Sequence, residues 1–395
     1  MVNIFVSTGE VSGDLQGGLL VRALRQQAQA RGWDLTLTAL GGEQLANAGA
    51  QLLANTAAIG SVGLTESLRF ILPTWQIRQR VKRYFQEHPV DLLILIDYMG
   101  PNLGIAADVR RAFPHIPIIY YIAPQAWVWS PSAKDTQRLV RSMDQLLAIF
   151  PQEAQFFAAQ GVPVTWVGHP LLDRLAQAPT RWEARAQLGL REDQTVITLL
   201  PASRVQEIKS LLPILCQAAQ QLQNQLPNVQ LLLPVSLEAY REDIRQTLNH
   251  YNLQVVLLDG QQTLTAIAAA DLALCKSGTV NLEIALLNVP QVVVYKVSPL
   301  TRWLAQWLLK FDVAFVSPAN IVLGQEIVPE LLQERATAAN IVPEALDLLL
   351  NPDRRQTTLD HYQQLRQALG ERGVCERAAQ VILDTLSPTV VSQNL

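Results

Sequence analysis

Short apolar runs recur along the chain, each followed by a polar turn and then by apolar residues at helical spacing. Residues 4–7, 35–40, 92–96, 116–122, 146–149 and 164–167 form a first series of such runs. The run at 92–96 is apolar throughout, as in a strand buried on both faces. Helical patterns lie between the runs, for example over 15–29 and around 153–160. Strands alternating with helices at this spacing predict βα units and a parallel sheet. The rhythm then pauses over 173–193, a polar stretch with Pro179 and two charged clusters that reads as a linker. A second series follows at 196–200, 230–235, 255–258, 272–275 and 291–295, and residues 336–386 read as mostly helical. The pattern predicts an α/β protein: two doubly wound domains facing each other, with a helical C-terminal tail.

Composition narrows this picture. A chain of 395 residues, 49% apolar and 16% charged, has enough apolar material for two cores and excludes disorder. A net charge of −3 gives no blanket case for nucleic acid. Cys216, Cys275 and Cys375 are scattered, with no C-x-x-C pair. That suggests a reducing compartment and argues against a structural zinc site. Residues 2–6 are already strand-like, and no uncharged apolar stretch reaches the roughly 18 residues that span a bilayer. The expectation is a cytosolic protein that touches a membrane from that side. Two stretches suit such contact. Residues 67–85 interleave Arg69, Arg78, Arg80, Lys82 and Arg83 with Trp75, Tyr84 and Phe85, without an acid. Residues 299–315 carry Trp303, Trp307, Arg302 and Lys310. For the first, a core-facing helix with a solvated basic face is an equal alternative; the second suits a membrane or an acyl chain, with core packing as its equal alternative.

The candidate chemistry lies just past the strand ends, where open α/β sheets bind ligands. After the first strand comes Thr8-Gly9-Glu10-Val11-Ser12-Gly13-Asp14; Gly9 and Gly13 suit a tight turn and a close ligand. It is not the G-x-G-x-x-G of dinucleotide binders. A Gly-rich loop spans 59–66, and the strand at 92–96 ends in Asp97-Tyr98-Met99-Gly100-Pro101-Asn102. Tyr120, Tyr121, Trp127 and Trp129 around Pro124 and Gln125 read as a rigid aromatic wall.

In the second series, Ser203 and Arg204 follow a strand, and Lys276-Ser277-Gly278-Thr279 opens a helix that carries Glu283. Arg204 could fork onto a pyrophosphate. Ser277, Gly278 and Thr279 offer N–H and hydroxyl donors at a helix N-terminus. Glu283 is set back to accept from both hydroxyls of a ribose. Together these have the polarity of a nucleotide diphosphate site. An Arg204–Glu207 helix pair and a Thr279 N-cap are the plain structural alternatives.

Taken in order, G-E-V-S-G-D, S-V-G-L-T-E, I-D…N, Y-Y-I-A-P-Q-A-W-V-W, F-P…E, V-G-H-P-L, L-L-P-A-S-R…E-I, S-G-T…L-E and N-I-V…E-I-V-P-E-L-L-Q run from end to end of the chain. With them the chain resembles the lipid-A-disaccharide synthase family, inverting UDP-sugar glycosyltransferases of GT-B type. The resemblance implies two Rossmann-like domains across a cleft. Residues 1–175 would form the acceptor and membrane side, and 190–340 the UDP-sugar donor side. Residues 341–395 would be a helical tail packing back on the N-terminal domain.

The implied reaction moves 2,3-diacylglucosamine from UDP onto the 6-hydroxyl of 2,3-diacylglucosamine 1-phosphate, giving the β-1,6 lipid A disaccharide and UDP. It needs no metal and no cofactor, and it runs on the cytoplasmic face of the inner membrane. Ser203, Arg204, Ser277, Gly278, Thr279, Glu283 and Asn320 would hold the donor. Glu10, Gly9, Ser12, Asn102 and Gln125 would lie on the acceptor side. The family has I-D-x-P-D-F-N after this strand, and its second acid is the expected base. Here that position is Gly100, which leaves Asp97 or Glu10 as the base. Ala202 stands where the family has Gly, and Lys276 where a small residue is usual. The change at Gly100 also admits an epimerase, a transferase with another lipid acceptor, or a non-catalytic nucleotide- or lipid-binding relative.

Overall fold

The strand Leu92–Ile96 has all five residues at 0% exposure, which explains an apolar run without alternation. Burying each such side chain contributes roughly 1.5–3 kcal/mol. A computed structural model describes residues 2–56, 71–129, 132–201, 205–236, 238–297 and 313–386. It divides into two units, Met1–Asp173 with Leu369–Leu395, and Arg174–Ala368.

The first unit holds a parallel sheet of seven strands: β1 (Val2–Ser7), β2 (Leu35–Gly41), β3 (Gln51–Asn55), β4 (Leu92–Ile96), β5 (Ile118–Tyr121), β6 (Gln145–Ala148) and β7 (Val164–Trp166). Their order is β3-β2-β1-β4-β5-β6-β7. The direction of strand addition reverses between β1 and β4, which pair from Ile4 opposite Leu92 to Ser7 opposite Leu95. The second unit has β8 (Thr195–Leu200), β9 (Val229–Val235), β10 (Val255–Asp259), β11 (Leu272–Lys276), β12 (Gln291–Tyr295) and β13 (Glu330–Leu332) in the order β10-β9-β8-β11-β12-β13. Its reversal falls between β8 and β11. At each reversal the flanking loops diverge and leave a crevice beyond the strand ends.

Several expectations change. The helix expected from 15 begins at Val11, so Ser12, Gly13 and Asp14 lie inside its first turn. Gly9 and Gly13 have no positive φ; what they provide is close approach. A Cβ on Gly9 would lie 1.9 Å from the Tyr98 ring, and one on Gly13 would lie 2.0 Å from the Thr8 hydroxyl. Asp14 accepts from Gly42 N (2.7 Å), Gln44 N (3.0 Å) and Leu45 N (3.2 Å), which fixes the end of β2.

The 173–193 stretch is not a plain linker. It contains the helix Arg181–Gln187, whose Arg185 is 1% exposed. The Arg185 guanidinium donates to Ala269, Arg191, Glu192 and Gln194 carbonyls and to Asp271, so the second unit starts with a buried, fully bonded cation. Strands β3 and β13 were not expected; both are short and weakly patterned. The tail is divided. Ala338–Leu350 and Pro352–Ala368 belong to the second unit, and only Val374–Leu386 packs on the first, against the helix Val11–Ala30.

Candidate active site

In the first unit the β1–β4 reversal is braced by Asn102, which is fully buried. Its Nδ2 donates to the Asp97 carbonyl (2.8 Å) and the Ile96 carbonyl (3.2 Å), and its Oδ1 accepts from the Ser7 hydroxyl (2.8 Å). Asn102 therefore ties the ends of the two strands together and has no spare donor for a ligand. This corrects its expected acceptor role.

Asp97 (φ 44°) and Tyr98 (φ 53°) both take left-handed backbone, and so does Ile122 (φ 66°) at the end of β5. A β-branched residue at positive φ is a strained one, costing on the order of 1–3 kcal/mol. Asp97 N donates to the Ile122 carbonyl at 2.9 Å, so two strained residues hold each other. Asp97 keeps some surface, but its carboxyl sits among protein atoms. Desolvation first, and the Glu10 carboxylate second, push it up to about 7. Glu10 is partly exposed at the N-cap of Val11–Ala30. A carboxylate titrating near neutrality is suited to take a proton from a hydroxyl.

Gly100 is exposed, and a Cβ built on it meets nothing within 4 Å. A cavity of about 220 Å³ opens at Tyr98 and Gly100, which line it with Ser7, Thr8, Leu40, Pro101 and Ile105 among others. Gln125 is exposed on the loop after β5, and Ser12 is partly exposed. Tyr120 and Tyr121 are 0% exposed and belong to the core, which corrects the aromatic wall. Trp127, tilted against Phe150 with ring centroids 5.5 Å apart, and Trp129 stay nearer the surface.

The loop is fixed from behind by Glu153, 1% exposed, which sequence reading left without a role. Its carboxylate accepts from Ala123 N (2.8 Å), Ile149 N (2.7 Å) and Phe150 N (3.2 Å), joining the ends of β5 and β6. Burial pushes it up to about 7, against the pull of those three N–H groups.

Ser203 and Arg204 in the second unit lie outside the described residues, as do the 59–66 loop of the first unit and most of 299–315. The Lys276–Thr279 turn is at the β8–β11 reversal, as expected, but it satisfies much of itself. Ser277 donates its hydroxyl to the Val316 carbonyl (2.8 Å), and Gly278 N donates to Asn281 Oδ1 (2.8 Å). Asn281 Nδ2 in turn donates to the Lys276 carbonyl (3.0 Å). Ser277 and Gly278 are thus shapers of the turn. The Thr279 hydroxyl makes no hydrogen bond among the described residues. Lys276 Nζ donates to Glu207 Oε2 at 2.9 Å, so Glu207 pairs across the sheet end with Lys276.

Asn320 is saturated. Its Nδ2 donates to the Val328 carbonyl (2.9 Å) and Glu330 Oε1 (2.8 Å), and its Oδ1 accepts from Ile327 N (2.8 Å) and Val328 N (3.0 Å). All four of its bonding positions are spent on the loop, which corrects its expected contact with the donor. Glu283, 8% exposed, is paired with Arg174. Burial raises its pKa, and the Arg174 guanidinium opposes that rise. Arg174 was missed, although the V-G-H-P-L motif runs on through Leu172 and Asp173 into it. Among the described residues no group of His, Cys, Asp and Glu side chains could hold a metal ion.

Two parallel-sheet α/β units with loops gathered at their strand reversals define the fold of UDP-sugar epimerases and GT-B glycosyltransferases. The structure of a UDP-N-acetylglucosamine 2-epimerase homologue from Listeria monocytogenes matches with a TM-score of 0.70 at 14% identity, covering 98% of this chain and 97% of that one. CalG4, the calicheamicin glycosyltransferase, matches with a TM-score of 0.60 at 15% identity, covering 98% and 100%.

Residues 4–385 match the family described as lipid-A-disaccharide synthetase. A lipid-A-disaccharide synthase from a Synechocystis species is 65% identical over 97% of this chain and 98% of its own length. The chain belongs to the lipid-A-disaccharide synthase family.

Proposed function

We infer that this chain carries out its family's reaction: it is a glycosyltransferase that forms the lipid A disaccharide. The family match and the 65% identity support this over an epimerase or a binding relic, since the epimerase likeness is one of fold alone. The donor is UDP-2,3-diacylglucosamine and the acceptor 2,3-diacylglucosamine 1-phosphate.

The observation that carries the mechanism is Asp97, an acid at the β1–β4 reversal with its carboxyl pushed up to about 7. Asp97 takes the proton of the acceptor 6-hydroxyl as that oxygen bonds to the anomeric carbon. The bond from that carbon to the UDP phosphate breaks in the same step, and UDP leaves with the electron pair. One displacement inverts the centre and gives the β linkage. Burial is the larger cause of the proton affinity of Asp97, and the Glu10 carboxylate adds to it. Arg204, Ser203 and Thr279 bind the diphosphate, and Glu283 holds the ribose. The cavity lined by Thr8, Leu40 and Ile105 takes part of an acceptor acyl chain. Its volume of about 220 Å³ exceeds the roughly 150 Å³ of an apolar cavity that binds benzene.

No described helix is long and apolar enough to cross a membrane. The chain meets the cytoplasmic membrane face through the helix Ile71–Glu87. There Val81 and Phe85 are buried, while Trp75, Arg80, Lys82 and Arg83 are exposed. Arg78 is not part of that surface, because Asp108 holds it in a two-pronged ion pair.

The direct test incubates the protein with both substrates and follows disaccharide and UDP. Turnover is expected, and Asp97→Ala abolishes it while a surface Asp→Ala does not. UDP binding without turnover would sink the reading.

A further inference from the structure

Glu283 is a carboxylate with little access to water, and such a group alone takes up a proton rather than stay charged. Its backbone is fixed in the helix Val280–Leu286, one turn beyond Thr279. Its Oε1 is engaged by Nη1 of Arg174. Arg174 is 26% exposed, so the pair lies at the margin of the unit and not in its core. The residue before it is anchored as well: Asp173 accepts from Gly373 N (2.6 Å) and Cys375 N (2.8 Å).

We propose that Arg174 is a positioning residue for nucleotide recognition, holding one oxygen of the Glu283 carboxylate so that the other is presented to the ribose hydroxyls of a uridine nucleotide. This rests on the reading of Glu283 as the ribose partner. It adds a residue that touches no substrate and acts through the acid. Arginine suits the task because its guanidinium stays charged at every accessible pH and holds a fixed planar geometry. With the charge present, Glu283 is an acceptor for both hydroxyls. Without it, nothing opposes the rise in proton affinity that burial imposes on the acid, and a protonated carboxyl accepts more weakly.

The test measures calorimetric affinity for UDP and for 2′,3′-dideoxy-UDP between pH 6 and 9. The proteins are wild type, Arg174→Gln, Arg174→Lys and Glu283→Gln, with a thermal melt on each. Wild type prefers UDP at every pH. Glu283→Gln loses that preference. Arg174→Gln loses about tenfold in UDP affinity at pH 7 and regains part of it as pH rises and the acid ionises. Arg174→Lys keeps the flat profile of wild type.

Arg174→Gln with wild-type affinity and a flat profile, beside a defective Glu283→Gln, makes Arg174 a bystander and overturns the proposal alone. Glu283→Gln with its preference intact overturns the ribose reading, and the proposal falls with it. If Arg174→Gln does not fold, infrared difference spectra of wild type against Glu283→Gln decide. A carboxylate band supports the proposal, and a protonated-carboxyl band at neutral pH overturns it.

Discussion

With Asp97 as the proposed base, activity and stability pull in opposite directions at this residue. Its carboxyl titrates at about 7, against an ordinary value of 3.8. The folded state therefore holds a proton that the unfolded chain has released between about pH 4 and 7. Stability falls as pH rises through that window and stays lower above it. Between 3.8 and about 7, at 1.36 kcal/mol per tenfold change in proton affinity, the cost of an ionised Asp97 has a ceiling on the order of 4 kcal/mol. Asp97→Asn removes the charge. Because the amide fits the site imperfectly, we expect a gain of about 1–3 kcal/mol at pH 8.

The same variant loses the proposed base and should fall at least about a hundredfold in kcat/KM. In wild type the base is roughly one-tenth ionised at pH 6 and nine-tenths at pH 8, so kcat/KM should rise about tenfold across that range. Glu10→Gln shifts the midpoint below 7, but by the smaller part of the total, since desolvation is the larger cause. Urea unfolding at pH 5 and 8 and a disaccharide-forming assay from pH 5.5 to 8.5 measure both effects. A flat rate profile in wild type refutes the reasoning. So does an Asp97→Asn protein that is less stable at pH 8, or that keeps more than a tenth of the activity.

Gly100→Asp should fold and raise the melting temperature. It replaces glycine in the first turn of Met99–Ala112, with nothing within 4 Å of the new Cβ, and contributes roughly 0.5–1.5 kcal/mol; a fall in melting temperature would show that the space is not open. Asn320→Ala should cost about 2–5 kcal/mol in urea unfolding, because it strands the Ile327 and Val328 N–H groups and two acceptors; an unchanged midpoint with lost UDP binding would return Asn320 to the donor site. Glu substitutions at Arg80, Lys82 and Arg83, with Trp75→Ala, should release the protein from anionic vesicles at low salt, and binding that persists would acquit the helix Ile71–Glu87.

How much was legible in the sequence depended on whether a residue's role is local. The run at 92–96 and the turns after β1, β4 and β11 could be read because burial on both faces and the strand-to-helix switch leave marks within a few residues. Hence the loops past these strand ends could be placed from the sequence, together with the carboxylates of Asp97, Glu10 and Glu283 that they carry. Strand β13 left no such mark, since its three residues pair with β12 through backbone bonds that any sequence can make.

Polar residues divide along the same line. Asn102 and Asn320 look identical to ligand contacts in a sequence, because an amide in a motif can face a substrate or the protein's own backbone. Only the tertiary structure decides, by bringing Ser7 to Asn102 across 95 positions and Glu330 to Asn320 across 10. Arg174 and Glu283 are 109 residues apart, and nothing in either neighbourhood announces the other. The chain by itself determined the fold class, the family and the loops past the strand ends. The tertiary structure decided which side chains at those ends are spent on holding the loops, and which carboxylates are desolvated enough to change their proton affinity. Both are properties of distance and burial, which a linear sequence does not contain.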